Sequence, residues 1–365
     1  MKLYQKLSVL AFYITILLLT VYSYVLIDPN LTLLNSKIFE QLRNFFVQFG
    51  YYQRELSSSF FVLLVSLLFL LHWQLVKNYQ AINLKTLLIS LGTLMIVSYP
   101  WLSHDFFNYL FDAKIVTFYH ENPYFLRALD FPRDPWLRFM QWTHRTYPYG
   151  PVFLILTLIP SFLSFGKFLL DFLLFKLLFF ALFATSIFYL AKINKKWAIF
   201  ILTNPLIIIE GLVNAHNDIV ALSLALIGFY WLQKSNLTGK VFFILSAGIK
   251  YLTLPVVFFV KQKDNLFNLF AAGGLIIVLV YLSLWQEIQP WYFLSLFILV
   301  PYYEKWIARL NLFFAGLLFS YYPYIRFGGW DKSWKVSLKH EIIIAFFAAN
   351  VVYLLVNRFF TKAKA

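Results

Sequence analysis

The chain has 365 residues, 61% of them hydrophobic and only 13% charged, where a soluble protein carries about 25% charged residues. A soluble core of this size cannot bury so much apolar sequence, so most of the chain has lipid as its solvent. The net charge of +15 does not form the single patch that nucleic acid needs, and with no cysteine, disulfides and thiol chemistry are excluded.

About 20 apolar residues cross a bilayer as a helix. The first run, Leu7 to Ile27, is too long for a signal-peptide core and lacks a small-residue cleavage site before Asp28, so it reads as a retained first helix. Further spans are predicted at 58–76, 86–102, 168–191, 215–232, 265–284, 306–325 and 341–357. Shorter or interrupted runs lie at 151–165, 197–213, 240–260 and 291–303. The chain is expected to cross roughly ten times. The expected fold is all-α, a polytopic transmembrane bundle of about 10–12 helices forming one transmembrane domain over 1–365. An external loop of short interfacial helices, 101–150, is embedded in it.

Orientation follows from the basic residues that punctuate the apolar runs: Lys2 and Lys6, Lys77 and Lys85, Lys192 with Lys195 and Lys196, Lys234 and Lys240, Lys261 and Lys263, then Arg358, Lys362 and Lys364. This is the positive-inside pattern of cytoplasmic loops. With the N-terminus inside, 101–150 lies outside. Keeping Lys192, Lys195 and Lys196 inside makes 151–165, fifteen residues with Pro160, a short or re-entrant piece. The segment 197–232 reads as a hairpin whose turn, Asn214 to Asp218, faces the same side as the loop. Lys261 and Lys263 stay inside only if 240–260 dips in and returns, bending near Pro255. Residues 285–292 then land outside as well.

Loop 101–150 holds five of the 16 acidic residues (Asp105, Asp112, Glu121, Asp130, Asp134), five cations including Lys114 and Arg145, and His104, His120 and His144. A bare connector is far shorter, and the loop's aromatics argue against disorder. Asp105, Tyr109 and Asp112 stand at i, i+4, i+7 and share a face if helix 86–102 runs on past the interface. Partial desolvation at a helix exit raises a carboxylate's pKa and suits it to general-base work. The plainer possibility is a solvated carboxylate, or one paired with His104 or Lys114.

Three further stations stand out. Asn204-Pro205-Leu206, Glu210 and His216-Asn217-Asp218 place costly polar groups in or at the end of a membrane hairpin, where Asn217 or Asp218 also suits a helix cap. Lys250 interrupts the apolar run 241–260 and either snorkels or meets an anion such as a lipid phosphate. Trp291 and Tyr292, after Gln289-Pro290, are either belt residues or a platform for a sugar or polyprenyl chain. No Walker loop, dinucleotide glycine motif, His-Glu-x-x-His pair or Gly-x-Ser-x-Gly elbow occurs, which disfavours soluble nucleotide chemistry.

Taken in order, Ser103-His104-Asp105, Tyr109, Asn122-Pro123-Tyr124 and Tyr147-Pro148-Tyr149-Gly150-Pro151 resemble the first external loop of GT-C-type membrane glycosyltransferases. The similarity is greatest to the polyprenol-phosphate-mannose-dependent alpha-mannosyltransferases. Asn204-Pro205-Leu206 with His216-Asn217-Asp218 resembles a later helix turn of these enzymes, and Lys250 with Pro255, then Pro290-Trp291-Tyr292, resemble weaker downstream signatures. The resemblance runs from about residue 86 to 300. It implies an inverting transfer of a sugar, mannose, from a polyprenyl-phosphate donor to a hydroxyl of a glycan or glycolipid acceptor. The transfer is expected on the extracytoplasmic face of a plasma membrane, with Asp105 as base. Lys250 and Arg145 are then the phosphate contacts. His104, Tyr109, Asp112, Tyr147, His216, Asn217, Asp218, Trp291 and Tyr292 complete the substrate-binding set. His104, Asp105 and Asp218 could hold a divalent cation, but their spacing is not diagnostic, and no metal or other cofactor is expected. The rival reading, a lipid-linked sugar transporter or flippase, predicts inverted repeats that the sequence does not show. A purely structural subunit leaves Asp105, His216 and Asp218 unexplained.

Overall fold

A computed structural model describes residues 3–31 and 33–362. Lys2 and Lys364 of the charge pattern lie outside the described residues, as do the side chains of Arg358 and Lys362. Every regular element among the described residues is helical. In chain order the α-helices are α1 (Leu3–Tyr22), α2 (Lys37–Val47), α3 (Arg54–Lys77), α4 (Leu84–Val97), α5 (Asp105–Thr117), α6 (Pro151–Leu163), α7 (Phe168–Ile193) and α8 (Lys195–Thr203). They continue with α9 (Asp218–Leu232), α10 (Asn236–Ile249), α11 (Leu266–Trp285), α12 (Val300–Ile307), α13 (Asn311–Phe319), α14 (Tyr322–Phe327) and α15 (Ser333–Lys362).

Five helices are each long and apolar enough to cross a membrane: Tyr4–Leu26, Arg54–Lys77, Phe168–Ile193, Leu266–Trp285 and Ser333–Asn357. The chain is an integral membrane protein. Elsewhere it crosses the bundle in broken pieces, and proline accounts for most of the breaks. Helix α4 stops at Val97 rather than continuing to 102: Ser98 is already extended at φ −72°, ψ 148°, and Pro100 biases Tyr99 away from the helical region. Asp105 therefore opens a new helix, and the i, i+4, i+7 face with Tyr109 and Asp112 belongs to α5. Helix α8 ends at Asn204-Pro205, and the chain resumes as a π-helical turn, Ile207–Val213, bent by 72°. The predicted span 306–325 is likewise divided into α13 and α14, with Pro323 in the first turn of α14, where its missing N–H costs nothing. In 240–260 the chain reverses at Lys250, not near Pro255; Pro255 lies inside the 3-10 return, Tyr251–Phe258. Helix α2 is an element the apolar runs did not show: it is too short and too polar to span, and none of its residues is buried.

The polar side chains gather at opposite ends of the bundle. At one end Gln5 meets Asn78 (3.0 Å), Lys195 donates to the Gln80 carbonyl (2.9 Å) and Lys196 pairs with Glu304 (2.7 Å). There Lys192 also lies over Tyr230 (5.7 Å), Lys240 donates to the Phe259 carbonyl (2.7 Å) and Tyr302 to that of Val260 (2.6 Å). Lys192, Lys195, Lys196 and Lys240 thus share one end. At the other, Arg138 pairs with Asp28 (3.3 Å) and Arg326 with Glu55 (2.9 Å). Helix α6 belongs wholly to this second end: it starts where Gly150 N–H meets the Ile249 carbonyl (3.1 Å), and Ser161 near its close bonds Thr117 (2.8 Å) at the end of α5.

Candidate active site

Chain reversals carry the polar residues of the second end: 98–105 between α4 and α5, 214–217 before α9, Lys250 after α10, and 286–289 after α11. Two of them are joined directly, because Asn214 Oδ1 accepts from the Leu102 N–H (3.3 Å) while Asn214 Nδ2 donates to Glu210 Oε2 (3.3 Å). Buried Lys176 of α7 ties the same two. Its Nζ donates to the carbonyls of Leu212 (2.5 Å) and Val213 (2.8 Å), the bare end of the π-helical turn, and to Ser98 Oγ (3.0 Å). Ala215 completes the turn at φ +54°, a left-handed geometry that a non-glycine residue adopts only under constraint.

These reversals enclose a cavity of about 970 Å³. Of the residues singled out in the sequence, His104, Asp105, Arg145, Lys250, Trp291 and Tyr292 line it. His216, Asn217 and Asp218 are buried behind the wall. Tyr109, Asp112 and Tyr147 are also buried and do not line it. Tyr109 instead accepts the Asn217 N–H at its hydroxyl (3.4 Å) and packs edge-on against Tyr149, whose ring does face the cavity. Asn217 forms no side-chain cap on α9, so the capping role considered for it is not realised.

Asp105 is the carboxylate closest to the chemistry such a wall can do. Trp142 Nε1–H donates to its Oδ1 (3.0 Å), and its Oδ2 lies 3.6 Å from His216 Nδ1. Lys114 is not its partner: that ammonium sits 2.5 Å from Asp134 and 3.9 Å above the Trp136 ring, stapling the loop to α5. Burial pushes the Asp105 carboxyl above its ordinary range, and the Arg145 and Lys250 charges with the Trp142 N–H pull it partly back. Arg145 lies over the Trp142 ring (4.8 Å). Lys250 pairs with buried Asp218 (2.7 Å) and lies over Tyr292 (4.7 Å). The His216 ring stacks on Trp291 at 4.0 Å and 13°, and burial, assisted by Lys250, keeps the imidazole neutral. Asp218 is thus engaged by an ammonium, and among the described residues no group of three His, Asp or Glu side chains is placed to hold a metal ion.

Apart from Gln289, the far wall was not legible in the sequence. Glu287 and Gln289 both bind Lys339 of α15 (2.6 and 3.2 Å), and Tyr321, Tyr324 and Trp330 stand beside them. Trp142 is a further addition, and Tyr149, part of the Tyr147–Pro151 motif, joins the wall as well. A lone charge within an aromatic loop or at the mouth of a long helix has no spacing signature. The one available hint is Glu287, an isolated charge between apolar runs.

The bundle and its polar cavity define a polytopic membrane protein whose carboxylate and cations converge at one end. A family model described as "Alpha-(1->6)-mannopyranosyltransferase, N-terminal domain" matches residues 32–262. The chain belongs to this family; it is a glycosyltransferase of the mannosyltransferase kind. No curated protein and no solved structure matches it. The matched stretch contains Asp105, Arg145, His216, Asp218 and Lys250, whereas the wall formed by Glu287, Gln289, Trp330 and Lys339 lies beyond it.

Proposed function

We propose that the chain is a GT-C-type enzyme that moves mannose from a polyprenyl-phosphate donor to a hydroxyl of a glycan or glycolipid acceptor, inverting the anomeric carbon, with Asp105 as general base. The observation that carries this reading is Asp105 itself: a desolvated, cavity-lining carboxylate with one oxygen fixed by Trp142 and two cations close by. In the reaction the acceptor oxygen bonds to the anomeric carbon as the bond from that carbon to the phosphate oxygen breaks. The hydroxyl proton passes to Asp105, and the bonding pair leaves with the phosphate. Arg145 and Lys250 stand where the developing phosphate charge needs stabilisation. Asp218 holds the Lys250 ammonium against the wall, and Trp291 holds His216. His104 and Tyr292 shape the surroundings of the sugar, while Tyr109, Asp112 and Tyr147 support that surface from behind. The site faces the extracytoplasmic side of a plasma membrane, opposite the lysine-rich end.

The test uses purified protein, radiolabelled polyprenyl-phosphate mannose and a panel of glycan and glycolipid acceptors. Wild type transfers label; Asp105→Asn loses on the order of 10²–10⁴-fold in kcat, the contribution of a positioned base. Undiminished transfer by Asp105→Asn removes this residue from the role. The base works ionised and its folded pKa is raised, so kcat falls as pH drops through that raised value. The acid limb of the pH profile should therefore lie above about 3.9, the ordinary aspartate value.

A further inference from the structure

Behind Asp105 stands a row of buried polar groups that the proposed transfer step does not use. His216 Nδ1 lies 3.6 Å from Asp105 Oδ2, and His216 Nε2 lies 3.4 Å from Glu210 Oε2. The imidazole and Glu210 are both sealed from solvent. Neither ring nitrogen has a hydrogen bond, nor does Glu210 Oε1. Catalytic hydrogen bonds are often long without substrate and tighten in the complex. Sealed polar atoms aligned in this way are a costly arrangement to keep without a purpose.

Hydrogen-bond accounting fixes the roles along the row. A neutral imidazole has one N–H and one acceptor nitrogen. Asp105 already accepts at Oδ1 from Trp142, and as an ionised base it accepts at Oδ2 as well, so the nitrogen facing it, Nδ1, bears the hydrogen. Nε2 is then an acceptor, and the group opposite it must donate, so Glu210 is the protonated acid, its Oε2–H directed at Nε2 while the same oxygen accepts from Asn214 Nδ2. We propose that Glu210 is a positioning residue for the reaction: acting through His216, it fixes the ring tautomer that points an N–H at Asp105. The proposal rests on the reading of Asp105 as base. Glu210 touches no substrate. Its contribution is that, once the 3.6 Å approach of His216 closes, the base receives two N–H bonds, from Trp142 and His216. A carboxylate so held stays ionised in spite of its burial.

Other charges bear on the row. Arg145 and Lys250 face Asp105 and favour its ionised form, and Asp218 opposes it. Lys339, Asp218 and the Tyr321 hydroxyl face Glu210 from α15, α9 and the α13–α14 turn. All are retained in the variants below, so a change in pH profile is attributable to the row.

The experiment measures kcat and donor KM across pH for full-length Glu210→Leu and Glu210→Gln. Leucine cannot donate to Nε2. Its kcat should fall on the order of tenfold, with the acid limb moving up by about one pH unit and donor KM unchanged, because the ionised base loses a donor. Glutamine offers an amide N–H to Nε2 and should restore kcat to within a few-fold, with the limb in its wild-type place. A merely structural Glu210 lowers the yield or kcat of both variants without moving the limb, and that result overturns the proposal. A second measurement needs neither activity nor the leucine variant: ¹⁵N shifts of histidine-labelled wild-type protein, with His216→Gln assigning the resonance. The Nδ1–H tautomer is expected; the Nε2–H tautomer overturns the proposal. If wild type fails to use the donor, or Asp105→Asn keeps full turnover, the reading of the reaction falls instead, and the tautomer result separates the two failures.

Discussion

Lys250 and Asp218 show how single residues at this site divide between structure and chemistry. Asp218 is buried, and its partner is the Lys250 ammonium at 2.7 Å. Removing one member of a buried pair leaves an uncompensated charge, at a cost of about 3–5 kcal/mol, whereas replacing both is often close to neutral. Lys250→Met should therefore lower the thermal midpoint clearly, and Lys250→Met with Asp218→Asn should recover most of it. Activity should not recover, because the double variant still lacks the cation proposed for the phosphate. Thermal unfolding and transfer assays on the three variants make the comparison. Equal activity in wild type and the double variant would remove Lys250 from phosphate binding. The sequence drew attention to Lys250 because it interrupts an apolar run, and to Asp105 because it heads a charged loop. Trp142 and Lys339 gave no such signal. Their importance comes from contacts over 37 and 52 residues of separation, to Asp105 and Glu287, which no local pattern records.

Among elements, the breaks matter more than the spans. The long apolar helices α1, α3, α7 and α11 lie within about three residues of their predicted limits at most ends, because an unbroken apolar run has one physical solution in lipid. The four-residue gain at the start of α3 and the eight-residue gain at the start of α15 are polar extensions, which hydropathy cannot see. The interrupted runs were the harder part. Proline marks where α4 and α8 stop and where α14 starts, but not the direction the chain takes there, which packing decides. Gly150 is the sharpest instance. Its N–H donates to the Ile249 carbonyl, and a Cβ there would stand 2.0 Å from the Gly248 carbonyl oxygen. This backbone contact sets the Tyr147–Pro151 turn against the end of α10 and so brings Lys250 and Tyr149 to the same cavity. Neither backbone can give way as a flexible side chain would. Gly150→Ala should cost at least the roughly 1–3 kcal/mol of an overpacked core and depress kcat, read by thermal unfolding alongside transfer. A variant with wild-type activity would show that the contact does not position Lys250.

At the scale of the whole molecule, the two polar ends allow the orientation to be tested. The lysine end joins Lys192, Lys195, Lys196 and Lys240 with the segments near residues 78–80, 230, 259–260 and 302–304. The cavity end holds the whole of 101–150 and helix α6. The charge rule puts lysine-rich loops in the cytoplasm. Helix α6 at thirteen residues is about 20 Å long, short of the roughly 30 Å hydrocarbon core. Its start meets Ile249 beside the cavity and its close meets Thr117 of the same loop, so on this reading it adds no crossing, and α7 alone carries the chain from Phe168, stacked on Phe107, to Lys192 at the other end. A reporter inserted after residue 125 should therefore read extracytoplasmic and one after 195 cytoplasmic. If the second also read extracytoplasmic, α6 would have to cross and the cavity would no longer face away from the lysines. Reversal of both reporters would instead keep the bundle and invert the charge rule, placing the proposed donor in the cytoplasmic leaflet. Only the first outcome agrees with a donor sugar met on the outer face.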